Sequence, residues 1–226
     1  MPRLARIVIP GVPHHVVQRG NNLQDVFFVD DDRRFYLNAL KDRCDLCGVD
    51  ILGYCLMSNH IHLLLRPEEE NGLGRALGPA HHRFTQYINA SHGRVGHLWQ
   101  GRYFSCALDE RHFWRALRYV EQNPVRAGLV DMPWQYAWSS AWAHVKGYDP
   151  EHVLNMEWFD RDMTPTDWRQ ALRERIEGDE LKRLRKRWER GWPLAEEAWL
   201  TRMEGVLGQP LRPRPVGWQR GRKRRK

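Results

Sequence analysis

At 226 residues, 42% hydrophobic and 28% charged, the chain has room for one domain plus an extension and enough apolar residues to bury a core. No stretch approaches the ~20 apolar residues of a membrane span, and the start, Met1-Pro2-Arg3-Leu4-Ala5-Arg6, lacks a secretory apolar core, so a cytoplasmic protein with no membrane partner is expected. The net charge of +8 lies in the tail: residues 212–226 carry eight basic and no acidic residues, and the rest balances at 28 of each sign.

Such a like-charge block, broken by Pro213, Pro215, Gly217 and Gly221, cannot pack a core. It is expected to be flexible, with a polyanion as its natural partner or a solubilising role instead. The four cysteines are too few for a disulfide framework. Cys44-x-x-Cys47 has no second pair to complete a zinc site, so both are expected as reduced core residues.

In chain order, Ile7–Ile9 and His14–Gln18 read as extended segments around Pro10-Gly11-Val12-Pro13. The turn Gly20-Asn21-Asn22 beside Arg19 suits a phosphate contact, or a plain surface turn. Asp30-Asp31-Asp32 caps a helix from about Arg33 to Cys47, which Gly48 stops. Two strand-length apolar runs, Val49–Leu56 and Asn59–Leu65, meet at a turn at Ser58-Asn59. A second helix spans Asn71 to His92, where Pro79 predicts a kink or break. Leu98–Leu108 is a loop entering a strand, and a third helix, Arg111–Asn123, is closed by Pro124. The order β-α-β-β-α-β-α predicts an α+β sandwich, helices packed on an antiparallel sheet. A domain boundary is expected near residue 150, followed by a helical extension over 151–211 and the basic tail.

Two places carry chemistry. On a strand His60 and His62 point to one face, about 7 Å apart at Cα, while Ile61, Leu63 and Leu65 point to the other. Imidazoles so placed can converge on a metal ion, or can be a hydrogen-bonded pair on a half-buried face. The third helix has the apolar stripe Phe113, Ala116, Leu117 and Val120, with Tyr119 and Asn123 four residues apart on its flank. Packed on the sheet, that helix could bring both to the histidines. Two imidazoles and an amide oxygen would suit Mg²⁺ or Mn²⁺, with Tyr119 as a nucleophile toward a polarised phosphodiester. An ordinary half-buried tyrosine and a C-terminal asparagine remain the alternative at this point.

Leu56-Met57-Ser58-Asn59-His60-Ile61-His62-Leu63-Leu64-Leu65 resembles the HUH motif (His, hydrophobic, His) of single-tyrosine transposases. Tyr119-Val120-Glu121-Gln122-Asn123-Pro124-Val125-Arg126-Ala127-Gly128-Leu129-Val130 is similar to their tyrosine helix. His15–Asn22, Leu98–Tyr103 and Trp138-Ser139-Ser140 also resemble family segments, in the right order over about residues 1–145. The extension and Arg-Gly-Arg tail bring the chain nearest to the REP-associated tyrosine transposases. The resemblance implies a ferredoxin-like HUH endonuclease fold and cleavage of single-stranded DNA near hairpins through a 5′-phosphotyrosine. It makes Tyr119 the nucleophile and His60, His62 and Asn123 the ligands of Mg²⁺ or Mn²⁺. DNA contacts are expected from Arg19, Asn21, Asn22 and Arg102, and from Arg222, Lys223, Arg224 and Arg225 in the tail. A bacterial, nucleoid-associated monomer or homodimer is implied. The chain lacks the Gly-Thr-Asp-Thr signature of several hairpin-reading relatives, so the resemblance implies the chemistry more firmly than the target. Two other classes fit parts of the pattern: a zinc-dependent His-x-His hydrolase, and a nucleic-acid-binding protein without catalysis.

Overall fold

The two apolar runs form a hairpin because a polar break separates them. β2 (Val49–Leu56) and β3 (His60–Pro67) are antiparallel, and the Met57 N–H donates to the His60 carbonyl across the turn at 2.9 Å. With β1 (His14–Arg19) and β4 (Phe104–Ala107) they make a four-stranded antiparallel sheet, ordered β2-β3-β1-β4. The computed structural model describes residues 6–174, 176 and 191–212. Ile7–Ile9 lies outside the sheet and is held by His14. Its Nε2 accepts from the Ile9 N–H at 3.2 Å while its Nδ1 donates to the Val12 carbonyl at 2.7 Å.

Alternation along the strands divides the sheet into two faces. Val16, Ile61, Leu63 and Leu65 pack against α1 (Asp30–Leu46) and α2 (Gly72–Ser91). Cys55, Leu64 and Cys106 face α3 (Glu110–Glu121), α5 (Ala141–Lys146) and α7 (Pro165–Arg173), with α4 (Asn123–Arg126) directly after α3 and α6 (Met156–Asp160) alongside. The antiparallel α+β arrangement is therefore as the alternating pattern predicts, with helices on both faces.

Three local expectations are corrected. α1 starts at Asp30, and Asp32 reaches back from inside the first turn to accept from the N–H groups of Phe28 (2.7 Å) and Val29 (3.1 Å). α2 runs unbroken through Pro79, because the Arg75 carbonyl, four residues earlier, accepts from Arg43 Nη2 at 3.2 Å instead. Pro124 does not close α3. That helix ends at Glu121, and Pro124 sits in the first turn of α4, where its missing N–H costs nothing.

The close approach of α3 to β2 depends on Gly53, which follows a bulge in β2. A Cβ there would lie 2.5 Å from Leu117 Cδ1, so a side chain would force Leu117 out of its place on the sheet. Later segments cover both sheet edges, which would otherwise present unpaired backbone groups. Residues 138–140 bond along β2, with Leu56 N–H to Trp138 carbonyl at 2.9 Å and Ser140 N–H to Tyr54 carbonyl at 3.0 Å. Leu194 donates to the Ala107 carbonyl of β4 at 2.8 Å.

The segment after residue 150 enters the same cores: Phe159, Trp168 and Leu172 are buried under α3. α8 (Glu197–Leu207) packs with Ile9, Ala107 and Leu211. Arg212, expected at the start of the flexible tail, is instead ion-paired to Glu197 at 2.9 Å and to Glu204. Arg222, Lys223, Arg224 and Arg225 lie outside the described residues. All four cysteines are free and buried. Among the described residues no helix is long and apolar enough to cross a membrane.

Candidate active site

Strand phase collects the polar groups. Val17 pairs with His62 and Arg19 with His60, so His15, Val17 and Arg19 share the face of His60, His62 and Leu64. His62 Nδ1 is 2.9 Å from His15 Nε2, and the two rings stack with centroids 5.1 Å apart. His60 Nδ1 donates to Asn59 Oδ1 at 2.7 Å; an amide oxygen only accepts, which fixes the proton of His60 on Nδ1. The His60 and His62 rings stand perpendicular, 5.0 Å apart. Burial, then the charges of His15, His60, Arg126 and Arg19, pushes His62 well below the ordinary imidazole range. Burial alone brings His15 down to about 3. Both rings are therefore neutral at pH 7.

α3 lays its tyrosine across this face. The Tyr119 ring, 4% exposed, meets His62 edge-on at 5.7 Å and His15 at 6.4 Å. The Arg126 guanidinium covers the ring at 4.0 Å from its centroid, and its Nη2 donates to the Tyr119 carbonyl at 2.6 Å. Asn123, at the start of α4, is buried, and its Nδ2 has no hydrogen-bond partner among the described residues.

Glu121 and Gln122, between Tyr119 and Asn123, fasten the junction. The fully buried Glu121 carboxylate accepts from Ser140 Oγ (2.6 Å), His144 Nδ1 (2.5 Å) and Trp168 Nε1 (2.8 Å). Gln122 Nε2 donates to the carbonyls of Leu172 (3.0 Å) and Glu174 (2.6 Å). A carboxylate buried with three donors is costly to disturb, so α3 has one seat on the sheet.

Of the residues singled out in the sequence, His60, His62, Tyr119 and Arg19 come together. Asn123 lies at the same junction, but the helix breaks at Gln122, so Tyr119 and Asn123 are not neighbours on one continuous helix. Asn21 and Asn22 form a 3-10 turn just beyond Arg19, and Gly20 N–H donates to the Asn59 carbonyl at 2.8 Å, tying that turn to the residue before His60. Arg102 is exposed in the loop entering β4. His15 and Arg126 were not anticipated. His15 shares the strand phase of Arg19, and Arg126 follows Tyr119 by seven residues, about two helical turns; each signal is visible only once the face is known.

The α+β fold has a solved counterpart. The structure of a REP-associated tyrosine transposase bound to a REP hairpin superposes with a TM-score of 0.52 at 16% identity, covering 66% of this chain and 89% of that one. A Haemophilus influenzae protein described as a candidate REP-associated tyrosine transposase is 23% identical over 155 residues, 64% of this chain and 80% of its own. The family described as "Transposase IS200 like" matches residues 10–123, and the chain belongs to it. That span runs from just before β1 to Asn123 and takes in the histidine pair and Tyr119.

Proposed function

We propose that this protein cuts and rejoins single-stranded DNA near hairpins, with Tyr119 as nucleophile and a 5′-phosphotyrosine as intermediate. The seating of the Tyr119 ring against His62, under Arg126, carries the reading. A phenol held beside two neutral imidazoles and under a guanidinium has the surroundings that phosphodiester attack needs.

The residues fit a hard divalent cation. Nδ1 of His60 and of His62 is engaged by Asn59 and His15, so each ring would ligate through Nε2, the arrangement in which an outer partner orients a metal-binding imidazole. Among the described residues no three His, Cys, Asp or Glu side chains form a metal-binding group, so the third protein donor would be the Asn123 amide. Its Oδ1 would be the ligating atom, and its buried Nδ2, unpartnered among the described residues, would donate to a phosphate oxygen. Mg²⁺ or Mn²⁺ held there would polarise the scissile phosphate and offset its charge.

In the step itself the Tyr119 oxygen bonds to phosphorus as the P–O3′ bond breaks. The phenolic proton is released and the leaving oxygen takes one up to become a free 3′-OH. One phosphoester replaces another, so the reverse attack by a 3′-OH rejoins the strand without a nucleotide triphosphate. Arg126 holds the ring, His15 orients His62, and Arg19, opposite His60, is placed for a strand phosphate. Asn21, Asn22 and Arg102 would extend that contact, and Arg222, Lys223, Arg224 and Arg225 would add sequence-independent attraction.

The test uses end-labelled single strands bearing a hairpin, with Mn²⁺, resolved on a denaturing gel. The unmodified protein should form a covalent adduct and release a 3′-OH fragment. His60→Ala, His62→Ala and Tyr119→Phe should each bind the strand and form none. Full adduct from either histidine variant would end the ligand assignment.

A further inference from the structure

The extension after residue 150 has no assigned role, yet Leu172, Arg173 and Ile176 wall a cavity of about 540 Å³ against α4 and the 131–133 turn. Val125, Arg126, Met132, Leu172, Arg173 and Ile176 line it. Pockets for small organic ligands run from roughly 300 to 1,000 Å³. The far wall is fixed, because Gln122 spends its whole side chain on it. Its Nε2 donates to the carbonyls of Leu172 and Glu174, and its Oε1 accepts from the Ile176 N–H at 3.4 Å. Arg126 serves two places at once, lining the cavity and covering the Tyr119 ring at 4.0 Å. The cavity is thus one side chain from the tyrosine.

Resting on the reading of Tyr119 as nucleophile, we infer that this cavity receives one nucleobase of the strand being cut, close to the scissile phosphate. Val125, Met132, Leu172 and Ile176 offer apolar walls to the faces of a flat ring, and Asp131 offers a carboxylate to its edge. Cations stand where a backbone phosphate would pass. Arg173 is exposed and makes no ion pair among the described residues, and Arg169, one turn earlier on α7, stacks on Trp134 at 5.0 Å. A free phosphate would leave the apolar walls unused, and a neutral apolar ligand would leave Arg173 unanswered. A base on its phosphodiester chain uses both. The extension thereby gains a role in choosing where the strand is cut.

The experiment separates this proposal from the chemistry. A strand is selected from a library with a fixed hairpin and randomised flanks by binding to the full-length Tyr119→Phe protein, and an abasic residue is then placed at each flank position in turn. Binding is measured by fluorescence anisotropy for Tyr119→Phe alone and combined with Met132→Trp, which fills the cavity from its half-exposed rim. One abasic position should weaken binding about tenfold or more, the scale of one lost base contact. Met132→Trp should weaken binding of the intact strand similarly and be indifferent to that position. Arg173→Glu should weaken binding of intact and abasic strands alike. Equal sensitivity to the abasic position with and without Met132→Trp, or no sensitive position at all, overturns the proposal. If the nucleophile assignment fails instead, the unmodified protein forms no adduct or Tyr119→Phe still forms one, while the abasic position and the filled cavity still cancel each other.

Discussion

Histidines on the two sides of the sheet invite comparison. His81, on α2, is buried, accepts or donates at 3.1 Å with the Tyr36 hydroxyl, and lies among Trp99, Tyr36 and Tyr103. Burial and the charge of Arg6 bring it down to about 3. His62 is also buried and also pushed well down, but its neighbours are His15, His60, Tyr119, Arg19 and Arg126. Burial and a depressed proton affinity are therefore common to a packing histidine and a site histidine. What distinguishes them is the company of other donors, a phenol and two cations. The same strands, through their period of two, build a hydrocarbon core on one side and this polar face on the other.

That contrast can be broken first at Phe84, at the centre of the ring cluster beneath α1 and α2. Phe84→Ala should cost about 3–5 kcal/mol in denaturant unfolding, by lost burial and the cavity left. Where folded, the variant should still form the DNA adduct. Loss of adduct at undiminished stability would mean that the two faces are not separable.

Acid should act next, through buried neutral imidazoles away from the tyrosine. His14 is brought down to about 4 by burial, against a weaker opposing pull from the Val12 carbonyl, and His81 to about 3. In both the folded-state value lies below the unfolded one, so the unfolded chain takes up the proton first as pH falls. Their contribution is complete above about pH 6.5 and is lost as pH drops toward 4, together at up to about 3 kcal/mol per pH unit. A stability profile that stays flat from pH 7 to 4.5 would contradict this account of both rings.

The smallest effect on the fold is expected from deleting residues 213–226, which hold seven basic residues. Unfolding should be unchanged, because Arg212, which is paired to α8, stays. Strand binding should weaken uniformly across sequences, with the slope of log K against log salt shallower by at most about 5. An unaltered slope would make the tail a solubilising segment only.

How much of this was legible in the sequence follows from the range of each interaction. The β2–β3 hairpin and the shared face of His60 and His62 are local consequences of alternation and one polar break, and they read directly. So does the apolar stripe of α3. The unbroken passage of α2 through Pro79 does not, because it rests on Arg43, 32 residues from the carbonyl it satisfies. Nor does the seat of Tyr119: Glu121 is held by Ser140, His144 and Trp168, up to 47 residues away, and nothing near it in sequence announces a buried carboxylate. The cut between α3 and α4 was missed because Pro124 ends a helix and opens one equally well.

The central claim is that Tyr119 takes the DNA strand. Trypsin cleaves after Arg118 and Arg126, so Tyr119 falls in the peptide Tyr119-Val120-Glu121-Gln122-Asn123-Pro124-Val125-Arg126, with no other tyrosine. The adduct formed with a hairpin-bearing single strand would be digested with nuclease and trypsin and sequenced by mass spectrometry. The account predicts a 5′-phosphonucleotide remnant on Tyr119 in that peptide. A remnant on Tyr87 or Tyr103, or an adduct that persists in Tyr119→Phe, would contradict it.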